Sequence, residues 1–209
     1  MRVGVIGSGN VGGALIRRLR EVGHEVMVAN SRGPASLTLI GAETGATPAS
    51  VESTAREGDL VFLAVPLCAV LDLPAAAFRD RLVVDVTNYY PERDGDIPEL
   101  MRGGLTSSRW VAERLPGTRI VKAFNTIFAD HLRTRGRPSG SPDRIGLPVA
   151  SDDPDGKRLV SELVEQLGFD AVDGGDLAGS WRQQPGSPIY TTDRAAVQVE
   201  AYLGQARTR

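Results

Sequence analysis

The chain has 209 residues, enough for one substantial domain, and its 41% hydrophobic and 24% charged residues are ordinary for a globular protein. A formal net charge of −2 leaves no basic footprint for nucleic acid. The single cysteine, Cys68, excludes an internal disulfide, and with only His24 and His131 beside it no zinc site can be built, so no metal is expected.

Residues 2–6 form an apolar run broken by Gly4, far shorter than a signal core or a membrane span, which predicts a strand in a cytoplasmic protein without membrane contact. Residues 11–22 carry Val11, Leu15, Leu19 and Val22 at helical spacing, and Gly23 ends that helix. A second strand is expected at 25–29. The small-residue stretch 33–56 predicts one or two short helices and a weak strand near Ala46. Residues 60–65 and 82–86 are nearly continuous apolar runs, the pattern of strands buried on both faces of a parallel sheet. Between them, residues 68–71 are expected to start a helix. Another strand is expected at 120–124.

Residues 133–143 combine arginine, proline, glycine and serine without apolar periodicity, which predicts a loop, either a mobile lid or a disordered insertion. Beyond it come a strand at 147–150, a helix at 154–167 with Pro154 in its first turn, a strand at 170–173 and a last helix at 193–203. Strands alternating with helices predict an α/β fold: a Rossmann-type, doubly wound, mostly parallel sheet with a small C-terminal helical extension. The expected organisation is a dinucleotide-binding part, 1–150, and a smaller α/β part, 151–209, packed on it and completing the second-substrate pocket.

Directly after the first strand stands Gly7-Ser8-Gly9-Asn10-Val11-Gly12. In this G-x-G-x-x-G pattern the first glycine permits a tight turn, the second lets the backbone approach a pyrophosphate, and the third allows close helix packing. The helix N-terminus adds bare N–H groups for the phosphates. NAD would call for an acid at the end of the second strand; the chain instead places Asn30-Ser31-Arg32 there, a hydroxyl and a guanidinium suited to a phosphate, which selects NADP(H). Val65 and Pro66 should run beneath the nicotinamide side. Cys68 among aliphatic neighbours is expected to behave as a packed thiol. Tyr89 and Tyr90 are expected to cap a strand by packing, Lys122 to be a partly solvated strand residue, and His131 to face solvent.

These motifs, with Ala64-Val65-Pro66, Val84-Asp85-Val86-Thr87-Asn88 and above all Val121-Lys122-Ala123-Phe124-Asn125-Thr126-Ile127, give a chain that resembles the F420-dependent NADP oxidoreductase family over almost its whole length. It resembles more distantly the NADPH-binding domain of metalloreductases. The resemblance implies hydride transfer between NADP(H) and coenzyme F420 or a flavin, a homodimer, and catalytic roles for Asn125 and Thr126. It also places Asn88 and Ala123 beside the cofactor and implies that Gly174 and Gly175 cover part of the second ring. The chain departs from the family pattern at residues 180–188, where Trp181, Arg182, Gln183 and Gln184 lie among glycine and proline. With Tyr190 these residues are expected to wall a pocket or to form a dimer contact. Two other functions fit the residues. A reductase of a small carbonyl or imine would need a proton donor, for which Tyr89, Tyr90, Lys122 and Tyr190 are candidates. A non-catalytic NADP-sensing module would need only the cofactor site.

Overall fold

A computed structural model describes residues 1–206. Val3, Val5 and Ile6 suit a pleated, buried surface and form β1 (Arg2–Ile6). α1 (Asn10–Glu21) follows, burying Ala14, Leu15, Ile16 and Leu19 and placing Arg18 and Arg20 in its last turn, where the helix dipole favours cations. β2 (Glu25–Ala29) leads through α2 (Thr38–Thr44) and the two-residue β3 (Thr47–Pro48) to α3 (Val51–Glu57), which is capped by Ser50 accepting from the Ser53 N–H. β4 (Leu60–Leu63) and β5 (Leu82–Asp85) are wholly buried. Short α4 (Pro91–Asp94) and α5 (Pro98–Met101), each started by proline, and α6 (Ser107–Arg114) connect to β6 (Arg119–Lys122). α7 (Ala129–Thr134), β7 (Gly146–Ser151), α8 (Pro154–Gln166), β8 (Asp170–Gly175) and α9 (Ala196–Ala206) complete the order.

The eight strands form one sheet in the order β3-β2-β1-β4-β5-β6-β7-β8. All neighbours are parallel except β6 and β7, so the mostly parallel Rossmann-type sheet expected from the sequence is present. Residue 150 lies inside β7, and the same sheet runs across that expected boundary. Alternate strand residues face opposite layers. Leu60, Phe62 and Val84 pack with Leu15 and Leu19 of α1 and Leu163 of α8; Val61, Leu63 and Val83 pack with Ala55 of α3 and Trp110 of α6. Each fully buried Leu, Val or Phe contributes about 1.5–3 kcal/mol, so the sheet is fixed from both faces.

Three strands stop earlier than their apolar runs. β4 ends at Leu63, β5 at Asp85 and β6 at Lys122, because the chain leaves the sheet there to line a cleft. Phe124, with φ of +58°, cannot continue a strand. The last helix starts at Ala196 instead of residue 193 for a related reason: Asp193 has φ of +50°. The helix expected at 68–71 is a six-residue 3-10 helix, Leu67–Asp72.

The stretch 133–143 begins inside a helix and continues as a loop with a backbone tie to the turn before β8. Arg133 and Thr134 close α7, and the loop beyond is tied down where the Arg137 N–H donates to Gly168 O at 2.9 Å. Among the described residues no helix is long and apolar enough to cross a membrane.

Candidate functional site

The glycine loop is built so that only backbone fits. A Cβ on Gly7, whose φ is +111°, would lie 2.1 Å from Ala64 O, and one on Gly12 would lie 1.9 Å from Gly7 O. At Gly9 the same construction meets nothing within 4 Å. Open space therefore lies over the start of α1, where Gly9 offers no capping side chain and the first turn holds no acid. Bare N–H groups in such a place receive an anion. Beside them, Asn30 Nδ2 donates to Ser8 Oγ at 3.2 Å, while Asn30 Oδ1 accepts from the Arg32 N–H at 3.0 Å and from Ser36 Oγ at 3.1 Å. This knits the β2 loop to the glycine loop and leaves Ser31 and Arg32 exposed. Arg32's guanidinium has no ion-pair or hydrogen-bond partner among the described residues. The cradle, the bare helix start and the unpaired guanidinium together fit a dinucleotide carrying an extra phosphate.

From Gly9, Asn10 and Val11 a cleft of about 690 Å³ runs past Val65 and Pro66 to Asn88, Tyr90, Asn125 and Tyr190. It lies outside the carboxyl ends of β1, β4, β5 and β6, where open α/β sheets place their ligands. Asn125 is buried with its amide fully engaged. Its Nδ2 donates to Asn88 Oδ1 at 3.0 Å and to Gln183 O at 2.6 Å, and its Oδ1 accepts from Gln183 Nε2 at 3.2 Å. Asn88 Nδ2 donates to Asn125 O at 3.0 Å and to the Tyr190 hydroxyl at 3.3 Å, and the Tyr190 and Tyr90 hydroxyls bond to each other. Burial first, then the bond to Tyr90, raises the Tyr190 phenol well above its ordinary range, so Tyr190 stays neutral.

The backbone around this network is strained. Among the described residues four other than glycine have positive φ, and of these Phe124 and Thr191 line the cleft while Asp193 lies two residues further on. A β-branched Thr191 at φ of +53° is unfavourable by about 1–2 kcal/mol, and its N–H bond to Thr126 O at 2.8 Å holds it there. Beneath the cleft, Lys122 is wholly buried opposite Asp85, 3.2 Å from its Oδ2, and also donates to Thr87 O. Burial pulls the lysine below its ordinary range, against the opposing pull of Asp85. The sequence reading of Lys122 as partly solvated is corrected accordingly.

The family described as NADP oxidoreductase, coenzyme F420-dependent, matches residues 2–89, from β1 to the start of the Asn88 loop. A hypothetical protein from Sinorhizobium meliloti is 32% identical with a TM-score of 0.80, over 93% of this chain and 95% of its own. The chain belongs to the F420-dependent NADP oxidoreductase family. A protein from Arthrobacter sp. FB24, provisionally assigned as an F420-dependent NADP reductase, is 25% identical with a TM-score of 0.74 over 87% of both chains. The metalloreductase STEAP3 of Rattus norvegicus is 27% identical over 190 residues, 86% of this chain. The curated relatives it matches are spanned only in part, over 62% and 35% of their lengths.

Within this family member, the cleft brings together Gly9, Asn10, Val11, Val65, Pro66, Asn88 and Asn125 of the residues expected from sequence. Gly7 and Gly12 hold the turn around Gly9, Ser8 and Asn30 join the two loops by their hydrogen bond, and Ser31 and Arg32, exposed after β2, are not among the residues that line the cleft. Ala123 and Thr126 are buried and support it: the Ala123 N–H bonds Asp85 O and Thr126 supplies its carbonyl to Thr191. Of the tyrosine and lysine candidates for a proton donor, Tyr90 and Tyr190 reach the cleft. Tyr89 does not; its hydroxyl bonds Gly95 O and the Ile97 N–H. Gly174 and Gly175 belong to β8, and Gly174 packs on Gln183 and Ala150 instead of covering a ring in the cleft. Trp181 is 53% exposed and lies outside the cleft, whereas Arg182 and Gln183 are buried.

Sequence reasoning missed three features of this cleft. His131, expected to face solvent, lines it with Nδ1 2.6 Å from Asp193 Oδ2, a carboxylate shared with Arg135 at 3.1 Å. Phe128, half-exposed, sets its ring edge-on to His131 with centroids 5.4 Å apart. Arg93 lies over the Tyr90 ring at 4.9 Å and donates to Asn88 O at 2.7 Å. Next to it, burial pushes the Asp94 carboxyl up, but Arg93 and the N–H groups of Tyr90 and Cys68 outweigh this and hold it below the usual carboxylate range. Cys68 itself is raised by burial and then by Asp94, which keeps it a thiol. The Tyr90-Pro91-Glu92-Arg93-Asp94 run was the available signal, since it places a cation and an acid beside an aromatic.

Proposed function

We propose that this protein is an NADPH-dependent oxidoreductase that passes hydride between NADP(H) and a planar tricyclic acceptor, coenzyme F420 or a flavin. The observation that carries the reading is the continuity of one cleft, from a side-chain-free helix start to a tyrosine-lined end. Gly7, Ser8, Gly9, Asn10, Val11 and Gly12 would hold the pyrophosphate, and Asn30, Ser31 and Arg32 the 2′-phosphate. Val65, Pro66 and Asn88, supported by Ala123, would bound the nicotinamide. When bound, the reduced nicotinamide would supply the hydride, one proton carried with two electrons. The chain's own residues supply position: Asn125 orients Asn88, and Thr126 anchors the segment carrying Tyr190. A ring acceptor takes up the charge itself, so hydrogen-bond donors at this end suffice.

A second reading, reduction of a small carbonyl or imine, is favoured by the two phenols in the cleft, one of which could deliver a proton. Mixing the protein with NADPH and each of coenzyme F420, FMN, FAD and a panel of small ketones tests both. Rapid loss of nicotinamide absorbance with a tricyclic ring is expected. Loss only with a ketone would select the second reading, and tight NADPH binding without loss in any mixture would overturn both in favour of a sensor.

A further inference from the structure

The tyrosine end of the cleft contains a hydrogen-bond donor that the chain does not use. Gln183 O and Asn125 O are backbone carbonyls and can only accept, which fixes the amide orientations of Asn125 and Asn88 respectively. The remaining Asn88 N–H then donates to the Tyr190 oxygen. The Tyr90 and Tyr190 hydroxyls carry two O–H groups between them, and their mutual bond uses one. One O–H is therefore left facing the cleft without an acceptor among the described residues. The arrangement that gives each phenol oxygen one accepted bond has Tyr190, which already accepts from Asn88, donating to Tyr90 and leaves the free O–H on Tyr90.

Its position is held from three sides. Thr191 pins Tyr190 through Thr126 O, Asn125 pins Asn88, and Arg93 covers the Tyr90 ring while gripping Asn88 O. We propose that Tyr90 is the specificity contact for the second substrate, donating its hydroxyl to a carbonyl oxygen on the acceptor ring. Asn125, Asn88 and Tyr190 are positioning residues that set the direction of this donor. The proposal rests on reading the cleft as the hydride-transfer site. The occupant it calls for is planar, to lie beside the half-exposed Phe128, and carries a carbonyl on the edge that meets Tyr90, as the pyrimidinedione of flavins and deazaflavins does.

The test uses binding without turnover. The protein is saturated with NADP⁺, which has no hydride to give, and FMN or coenzyme F420 is titrated while its fluorescence is followed. Tyr90→Phe keeps the aromatic ring and removes the donor, and is expected to weaken ring binding about tenfold while leaving NADP⁺ affinity within about twofold. Proflavine, a tricyclic dye without a carbonyl, should bind wild type and Tyr90→Phe equally. Equal FMN and F420 affinities in wild type and Tyr90→Phe, or no binding of either ring to the NADP⁺-loaded wild type, would overturn the proposal while the cofactor site stands. Failure of NADP⁺ itself to bind would overturn it by removing the reading on which it rests, a result distinguishable by titrating NADP⁺ alone.

Discussion

At its Gly7–Gly12 end the cleft is framed by backbone from one contiguous stretch, closed by Gly7 and Gly12, whose neighbours would collide with any Cβ; at its tyrosine end it is made of side chains whose hydroxyls meet although Tyr90 and Tyr190 are 100 residues apart in sequence. The first end is shaped by what is missing, the second by polar atoms that satisfy one another. Recognition of an invariant group such as a pyrophosphate can be encoded locally. A network that selects among acceptor rings needs several segments to converge, and it is correspondingly exposed to single substitutions.

Gly12→Ala should break the backbone end most severely. Its Cβ would overlap Gly7 O, and a loss of about 3 kcal/mol or more in chemical denaturation is expected together with loss of NADPH binding. Gly9→Ala sharpens the point: with nothing near its Cβ, stability should fall by less than about 1 kcal/mol, yet NADPH affinity measured by calorimetry should drop about tenfold or more. Unchanged affinity in Gly9→Ala would mean that the pyrophosphate lies elsewhere.

At the tyrosine end, Asn125→Ala leaves Asn88 Oδ1 and Gln183 O without a donor and Gln183 Nε2 with Lys122 O alone. A stability loss of about 1–3 kcal/mol is expected, with NADPH affinity little changed and turnover slowed. An unchanged rate would detach this network from hydride transfer. Arg32→Ala is expected to weaken NADPH about tenfold while sparing NADH, read from paired titrations; equal effects would remove the basis for preferring NADP. The smallest effect concerns acid. Asp94 titrates below its ordinary 3.8 in the folded chain, so its contribution is complete above that value and lost as pH falls through the lower folded one. Thermal stability should therefore decline below about pH 4, and Asp94→Asn should flatten that decline.

The strands and the glycine cradle were legible because each is a local pattern: buried parallel strands are apolar runs, and a strand followed by spaced glycines has few other uses. Tyr190 was legible only as an aromatic in a loop, since nothing local indicates that the Thr191 N–H will reach Thr126 O and bring the phenol against Tyr90. Trp181, expected to wall a pocket or to form a dimer contact, is exposed outside the cleft, because nothing local shows which way its loop will turn the ring. His131 could not be placed without Asp193, which lies in another segment at a left-handed φ. Lys122 was misjudged because its burial depends on Asp85 standing opposite in register on β5, a fact of sheet order and not of either strand's composition.

That buried lysine also makes the molecule a reporter of its own opening. The chain has two lysines, and Lys157 is the partly accessible one, paired with Asp173. An amine-acylating reagent applied under native conditions should tag Lys157 and the α-amino group at once, and Lys122 only at the rate at which β5 and β6 separate. Peptide mass spectrometry over time would then clock the unfastening of the strands beneath the cleft, with bound dinucleotide slowing the clock and leaving the Lys157 signal unchanged.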